Sequence, residues 1–324
     1  MHGVYGVLMK YDSATFASGS TPVGPGSSGR VISTLALLAA MVLWGSSFVA
    51  MKYAFAYFSP MIVIFGRMAV ATLCFLPFAP AFSRLPFTRA HILPLAAMGF
   101  CEPCMYFLFE AAALQRTTAS QASMITTMLP LLVALTSGLF LGERITRRTI
   151  AGFFVAAVGA LWLSVAGSAS EQAPNPLLGN LFEFLAMVSA TGYIILMKQL
   201  SRTLPPLFLT AMQAFIGTLF YAPLLLLPAV RFPESMPMPA VLSVLYLGTF
   251  VTIGAYGLYN FGVSRVPANQ AAAFINLIPA LTLIFGFFLL GERLSGWQLL
   301  ACLLVFGGVF LSQDSTAVSS KRKG

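Results

Sequence analysis

The sequence has very little charge. Only 8% of its 324 residues are Asp, Glu, Lys or Arg, whereas a soluble domain carries about 25%. Hydrophobic residues make up 58% of the chain, and its mean hydropathy is +0.88. A surface that faces lipid excludes charges, because no water is present there to hydrate them. The composition therefore argues against an ordinary soluble domain and indicates a protein that spans a membrane.

Residues that build metal, redox and nucleotide sites are also scarce. The two histidines, His2 and His91, are too few and too scattered for a metal centre. Cys101 and Cys104 have C-x-x-C spacing, but they fall inside an apolar run without the βαβ context of a redox motif. No phosphate-binding G-x-x-x-x-G-K-[ST] motif occurs, which argues against ATP-driven transport. We therefore expect no cofactor and no metal, and we find no convincing nucleophile–base pair for an enzyme.

The apolar runs have the length of membrane-spanning helices. Backbone groups cannot stay unpaired in hydrocarbon, so only helices and closed barrels can span a bilayer. The runs here are continuous over about 20 residues, whereas barrel strands alternate and have about 10 residues. We predict an all-α membrane protein with ten transmembrane helices, called spans 1 to 10. Their expected bounds are 31–52, 58–80, 91–114, 118–141, 147–167, 177–199, 205–228, 239–264, 268–290 and 295–313.

The segments outside the spans are short. Residues 1–30 are rich in Gly, Ser, Thr and Pro and lack a signal-peptide core, so we expect a disordered tail. Residues 168–176 form a linker between the two halves of the chain, and residues 314–324 form a basic C-terminal tail.

The second half of the chain repeats the first. Leu141-Gly142-Glu143-Arg144 recurs as Leu290-Gly291-Glu292-Arg293, an offset of 149 (290 − 141), and earlier positions match at an offset of 146 (198 − 52). The other matched pairs are Gly99/Gly248, Gln121/Gln270, Pro130/Pro279, Gly159/Gly308, Met41/Met187, Lys52/Lys198, Pro60/Pro206 and Pro77/Pro223. These matches predict two five-span repeats over 31–167 and 177–313, a build typical of transporters.

Basic residues predict the orientation of the chain. With the N-terminus inside, 13 of the 18 Lys and Arg residues fall in cytoplasmic segments, and cytoplasmic loops retain such residues. Only Lys52, Arg116, Arg231 and Arg293 fall outside, and Arg67 lies within a span. We therefore predict that both termini are cytoplasmic. The net charge of +9 then reflects orientation and contact with anionic lipid, and no nucleic acid partner is expected.

An odd number of spans in each repeat makes the second repeat enter the membrane from the opposite side. Such inverted repeats have two conformations of similar energy that exchange roles, which is the physical basis of alternating access.

Two groups of residues resemble a known family. Trp44-Gly45-Ser46-Ser47-Phe48 with Lys52, Pro60 and Arg67 resembles the opening of EamA-type members of the drug/metabolite transporter superfamily. The doubled pattern of Pro130, Leu-Gly-Glu-Arg and Gly159 resembles the end of each EamA unit. The resemblance covers about residues 31–313, and the chain is similar to the bacterial aromatic amino acid exporters.

This resemblance implies a ten-helix inner-membrane exporter of small metabolites, built from two inverted five-helix repeats. It implies a central cavity lined mainly by spans 1, 3, 4, 6, 8 and 9. The second unit departs from the pattern, since Ala190 and Thr191 replace Trp-Gly and Gln213 replaces Arg67. Two symmetric cationic sites are therefore not expected.

Charged residues inside the spans are the main candidates for function. Glu102, Tyr106 and Glu110 share one face of span 3. A carboxylate in a span is expensive unless it is paired, protonated or hydrated, so it marks a pathway by default. Each glutamate is a candidate proton site or a partner for a substrate ammonium group, and the alternative is a salt bridge or a snorkelling residue. Arg67 either pairs with one of them or binds a substrate carboxylate.

Two prolines and several polar side chains complete the candidate site. Pro130 and Pro279 free the carbonyls of Thr126 and Ile275, which a wet cavity would hydrate, and both prolines are candidate hinges. The remaining candidate binding residues are Trp44, Thr126, Tyr256, Tyr259, Asn260, Gln270 and Asn276.

Two other repeated features are interpreted as structural. Lys52 and Lys198 are expected to snorkel towards opposite surfaces. In each Leu-Gly-Glu-Arg segment the glycine is expected to end a helix in a left-handed conformation, followed by a charged loop.

The sequence therefore favours a secondary transporter that exports small metabolites by alternating access, with neutral or aromatic amino acids as the best single substrate class. The alternatives are a passive channel or facilitator and, with less support, an intramembrane enzyme. Expected partners are a small-molecule substrate, membrane lipid and protons as a candidate coupling ion. The chain is expected to be a monomer or a weak homodimer.

Overall fold

The structure is a computed structural model that describes residues 27–141, 147–167, 169–171, 173–233, 235–266 and 268–312. The chain divides into a short unit, Met1–Ile32, and a main unit, Ser33–Gly324. Of the short unit, only the start of one helix is described. Residues 1–26 of the predicted disordered tail and the predicted basic tail lie outside the described residues, so the rest of this section concerns the main unit.

The described part of the chain is helical, with one isolated antiparallel bridge between Ser170 and Ala173. The first five spans are Ser27–Phe55, then Pro60–Phe75 with Leu76–Phe78 and Ala79–Phe82, then Arg89–Gly99 with Phe100–Met105 and Tyr106–Leu114, then Ala119–Ile125 with Met128–Leu141, and Arg147–Ala166. The last five are Pro176–Leu200, then Pro206–Leu224, then Met238–Tyr246 with Leu247–Ala255 and Tyr256–Arg265, then Ala268–Phe274 with Leu277–Phe285 and Gly286–Leu290, and Gly296–Ser312.

Eight of these stretches are long and apolar enough to cross a membrane, and two shorter apolar helices, Ile150–Ala166 and Gly296–Leu311, stand at spans 5 and 10. The ten predicted spans and the all-α class are thus confirmed. Large apolar side chains also cover the outer surface, and Leu226 and Phe310 are 85% and 80% exposed. Exposure of this kind fits helices that face lipid.

Spans 3 and 8 are not uniform α-helices, which the sequence did not reveal. Each contains a π-helical segment at its centre, Phe100–Met105 in span 3 and Leu247–Ala255 in span 8. Glu102 lies in the first of these with non-helical angles, φ −147° and ψ 117°. Such segments are frequent at functional sites, and here they interrupt the two spans at equivalent positions of the repeats.

Spans 4 and 9 are each interrupted by a two-residue turn. The turn covers residues 126–127 in span 4 and 275–276 in span 9, and a second helix begins after it at Met128 or Leu277. The break lies just before Pro130 and Pro279, as expected from the proline positions. The freed carbonyls are not left to water, however. Backbone amides donate to them, Leu129 N to Thr126 O at 3.0 Å and Ile278 N to Ile275 O at 2.9 Å. Whether these breaks act as hinges stays a prediction.

Equivalent residues of the two repeats meet each other. Thr72 and Thr218, which differ by the repeat offset of 146 (218 − 72), lie side by side with their hydroxyl oxygens 2.9 Å apart. A residue that contacts its own equivalent lies on the axis that relates the repeats. With five spans in each half, that axis relates two bundles that cross the membrane in opposite directions.

The repeated glycines of spans 5 and 10 mark the closest approach of the two repeats. A Cβ atom added to Gly308 would lie 2.4 Å from the backbone nitrogen of Ala156, and one added to Gly159 would lie 2.7 Å from that of Val305. Only glycine permits this contact between backbones, as at small-residue helix interfaces in membranes.

The repeated lysines do not snorkel. Lys52 Nζ donates to the carbonyls of Leu114, at 3.1 Å, and of Thr117, at the end of span 3. Lys198 Nζ makes the equivalent bonds at the end of span 8, to Val263 O at 2.6 Å and Val266 O at 2.7 Å. Each lysine therefore satisfies carbonyls that a helix end leaves unpaired. The expectation of snorkelling is not met, because both ammonium groups bind these carbonyls.

The second Leu-Gly-Glu-Arg segment is more than a charged loop. Gly291 ends span 9 with φ 67°, as predicted, while Gly142, Glu143 and Arg144 lie outside the described residues. Glu292 is buried, and its two carboxylate oxygens accept hydrogen bonds of 2.9 Å from the amides of Ala119 and Ser120. It thus satisfies two free amides at the start of span 4 and ties the second repeat to the first.

Candidate functional site

A cavity lies between the spans, with about 510 Å³ of space free of protein atoms when the adjoining open space is included. Spans 1, 3, 4, 6, 8 and 9 all contribute to its wall, and span 2 adds Arg67. Its polar side chains are Ser47, Arg67, Glu102, Tyr106, Glu110, Thr126, Tyr193, Tyr256 and Tyr259.

Aromatic rings form one wall of the cavity. Trp44 of span 1 contacts Tyr256 and Tyr259 of span 8, with ring centroids 5.1 Å and 4.8 Å apart. The indole Nε1 of Trp44 and the hydroxyl of Tyr259 are buried and have no hydrogen-bond partner within the described ranges. Buried donors of this type are normally satisfied, so this wall has bonding capacity left for a ligand.

Arg67 is the cation of the cavity. Its side chain is only 1% exposed, and its guanidinium lies over the ring of Phe107, 4.3 Å from the centroid. Nε donates to Thr252 Oγ1 at 3.1 Å and Nη1 contacts Met51 Sδ at 3.2 Å. No carboxylate of the described chain forms an ion pair with it, so the predicted structural pairing with Glu102 or Glu110 is not observed.

The two predicted carboxylates of span 3 are held by tyrosine hydroxyls. The Tyr256 hydroxyl, from the second repeat, donates to Glu102 Oε1. The Tyr106 hydroxyl donates to Glu110 Oε1 at 2.9 Å, across one turn of the same helix. Both glutamates are almost fully buried. Glu110 Oε2 has no partner among the residues that the structure describes.

The structure brings most of the predicted binding residues together at this cavity. Trp44, Arg67, Glu102, Tyr106, Glu110, Thr126, Tyr256 and Tyr259 all line it. The Thr126 hydroxyl, however, donates to its own helix at Ser123 O, 2.7 Å away.

The other predicted residues lie elsewhere. Asn260 lies behind the wall, where it accepts from the Tyr193 hydroxyl. Its Nδ2 donates to Thr210 Oγ1 at 2.8 Å and to Gln213 Oε1 at 3.1 Å. Asn276 does not line the cavity, and the side chain of Gln270 lies outside the described residues. Pro130 and Pro279 are also absent from the cavity wall as described.

One buried carboxylate was overlooked in the sequence. Glu183 of span 6 is 0% exposed, and neither of its oxygens has a hydrogen-bond partner in the part of the chain that is described. A signal was available, because a glutamate within a predicted span is a functional candidate by default.

The comparisons with known proteins concern the family and the fold of the chain. The model of the EamA-like transporter family matches residues 31–165 and 177–313. An uncharacterized Bacillus subtilis transporter, YetK, is 26% identical over 227 residues, covering 69% of each chain. A Streptantibioticus cattleyicolor protein named "Probable terminal-alkyne amino-acid exporter" is 28% identical over 285 residues, 87% of this chain and 93% of its own. A crystal structure at 20% identity has the same fold, with a TM-score of 0.62 over 93% of this chain.

Proposed function

The chain belongs to the EamA-like transporter family, and from this premise we propose that it exports neutral or aromatic amino acids across the bacterial inner membrane by alternating access. We further propose that both termini face the cytoplasm, as the distribution of basic residues suggests.

The observation that carries this proposal is that Arg67 is buried beside the cavity without a directly bonded carboxylate. A buried cation is costly unless it is paired, and Arg67 faces the cavity with no directly bonded carboxylate in the described structure, although its charge acts on Glu102 and Glu110. A guanidinium binds a carboxylate with two parallel hydrogen bonds. A substrate carboxylate would therefore supply the direct ion pair that Arg67 lacks.

The rest of the cavity fits the other parts of an amino acid. Glu110 Oε2 is an unused acceptor suited to a substrate ammonium group. The rings of Trp44, Tyr256 and Tyr259 suit an apolar or aromatic side chain. A zwitterion with an apolar side chain needs this combination of separated opposite charges and an aromatic wall. The name of the Streptantibioticus relative, an amino-acid exporter, adds support for the same class.

Alternating access is supported by contacts between the repeats. The bond from Tyr256 to Glu102 joins span 8 to span 3, and the bonds of Glu292 join the end of span 9 to span 4. Both contacts must change if the two bundles move relative to each other around a central site.

A ligand series tests the proposed recognition. Thermal unfolding of the purified protein would be measured with L-phenylalanine, with phenethylamine, which lacks the carboxylate, and with 3-phenylpropionate, which lacks the amine. We expect L-phenylalanine alone to stabilise, by about 2.7 kcal/mol at a hundred times its dissociation constant. Arg67→Gln should remove this effect, whereas Arg116→Gln, in a residue that bonds its own helix at Ala112 O, should retain it. Equal stabilisation by phenethylamine would contradict the proposal.

Flux measurements test transport itself. Proteoliposomes preloaded with L-phenylalanine should take up the labelled amino acid by saturable counterflow. Uptake that never saturates would instead identify a passive facilitator, and formation of a new compound would identify an enzyme.

A further inference from the structure

We propose that Glu183 and Glu110 together form the proton-binding site that couples this transporter to a proton gradient. This inference rests on the proposed function and deepens it, since it names the coupling ion and the residues that bind it.

Glu183 belongs to span 6, which contributes to the cavity wall. It is fully buried in span 6, and Met187, one helical turn further along, lines the cavity. Glu110, on the facing span 3, lines the cavity as well. The helix Pro176–Leu200, which carries Glu183, packs against Tyr106–Leu114, which carries Glu110, and the two carboxyl groups influence each other electrostatically.

Acceptors outnumber donors around this pair. Both oxygens of Glu183 and the second oxygen of Glu110 lack hydrogen-bond partners within the described ranges. Asn180, one turn before Glu183, uses its Nδ2 on Ser164 Oγ at 2.9 Å, and its Oδ1 is also unpartnered. Buried acceptors without donors are rare in folded proteins. A proton on a carboxyl group turns one of these acceptors into a donor and removes a buried charge.

The neighbouring groups supply no alternative counter-charge. From span 3, Tyr106 and Glu110 face Glu183. Spans 4 and 5 bring the uncharged Gln121 and Ser164 to the adjoining Asn180. The cation Arg67 acts on Glu110, and Glu102 is bonded to Tyr256. No basic side chain of the described structure acts on Glu183.

These positions give a direct route to exchange of substrate for proton. A substrate ammonium group that binds at Glu110 favours its ionised form, so the carboxyl O–H bond breaks and one proton leaves the pair. The amino acid forms only an ion pair and keeps its own protons. When the substrate departs on the other side, the pair takes up one proton there. One proton therefore moves inward for each amino acid that moves outward.

Chemical labelling tests the site without any substrate. Dicyclohexylcarbodiimide adds to a protonated carboxyl group in an apolar environment, and the carboxyl proton passes to a nitrogen of the reagent to give a stable N-acylurea. We expect mass spectrometry of the labelled full-length protein to find the adduct on Glu183, with a yield that falls as the pH is raised. Glu183→Gln should abolish the adduct. Glu171→Gln, in an exposed loop residue, should leave it unchanged.

Transport variants test the coupling. In proteoliposomes, Glu183→Gln should lose accumulation of L-phenylalanine driven by a pH gradient but keep counterflow, and Glu183→Asp should recover part of the accumulation. Retention of counterflow shows that the variant is folded. Full gradient-driven accumulation in Glu183→Gln would overturn the proposal.

The outcomes separate this inference from the proposed function. Labelling of Glu183 in a protein that does not transport L-phenylalanine would support the proton site and count against the substrate class. Absence of labelling at every pH would overturn the proton site even if transport is observed. Protection from labelling by sodium, at constant pH, would overturn it in favour of a metal cation.

Discussion

At the scale of single residues, one hydrogen bond stands out because it joins the repeats inside the cavity. Tyr256 has no partner other than Glu102 for its hydroxyl among the hydrogen bonds of the described chain, and Glu102 lies where the backbone of span 3 departs from helical geometry. The bond therefore fixes an irregular segment of the first repeat to a helix of the second.

Removal of this bond should destabilise the protein. Tyr256→Phe leaves the buried Glu102 carboxyl group without its donor, which costs about 1–3 kcal/mol. We expect Glu102→Gln combined with Tyr256→Phe to lose less than the sum of the single changes, with a coupling energy of about 0.5–3 kcal/mol. Equilibrium unfolding in mixed micelles measures all three variants. Tyr57→Phe is the control, because Tyr57 is exposed, and additive losses would rule out the coupling.

Residue-level reasoning from the sequence reached the cavity wall but not the contacts within it. Glu102, Tyr106 and Glu110 all line the cavity, although the helical spacing from which this was predicted is interrupted at Glu102. Pairing could not be predicted, because it depends on which helix packs opposite. Arg67 thus met Phe107 and Thr252 instead of a carboxylate. Lys52 found carbonyls of span 3, a contact that only the folded arrangement of spans reveals.

At the scale of helices, the packing of spans 5 and 10 depends on two neighbouring glycines that differ in their surroundings. Gly308 faces the backbone of span 5, whereas a Cβ atom added to Gly307 would have nothing within 4 Å. Both occupy the interior of the same helix, Gly296–Ser312. Substitutions at Gly307 and Gly308 therefore distinguish the effect of close helix packing on stability from the effect of helix propensity.

Alanine substitutions should act in opposite directions at these two positions. Gly308→Ala forces the helices apart at a backbone contact, and overpacking of this kind typically costs about 1–3 kcal/mol. Gly307→Ala meets open space and should be neutral or stabilising by up to about 1 kcal/mol, since alanine is the better helix former. Thermal unfolding in detergent compares the two. Equal stability of the variants would show that spans 5 and 10 do not pack through Gly308.

The extent of each helix was more predictable than its regularity. Long apolar runs fix where a span must be, because every span needs about 20 residues. The π-helical segments of spans 3 and 8 were not predicted, although Pro103 inside the first of them is a residue that interrupts helices. The repeat offset did predict the matched breaks in spans 4 and 9, because both contain the same proline.

At the scale of the whole molecule, the hydrogen bonds of Lys52 and Lys198 affect how the orientation of the chain is inferred from its basic residues. Lys52 and Lys198 are bound to helix-end carbonyls and are not free loop charges. Their removal from the count leaves twelve inner and three outer basic residues (13 − 1 and 4 − 1), so the predicted bias towards the cytoplasmic side becomes steeper.

Reporter fusions test this orientation. A green fluorescent protein joined to the C-terminus should fluoresce in cells, and alkaline phosphatase inserted in the 168–176 linker should be active, because the linker is predicted to lie outside. The exchanged fusions, phosphatase at the C-terminus and fluorescent protein in the linker, serve as controls and should both be silent. The opposite pattern would invert the predicted topology.

The position of Trp44 in the cavity wall allows its fluorescence to report on the cavity. The chain has three tryptophans, and Trp162 and Trp297 lie against each other, with ring centroids 6.1 Å apart, away from the wall that Trp44 forms. Replacing that distant pair with phenylalanine would leave a lone indole inside the chamber. Its fluorescence emission maximum would shift as the cavity changes from hydrated to dry. Ligand occupancy and opening of the cavity could therefore be followed in real time without a radioactive tracer.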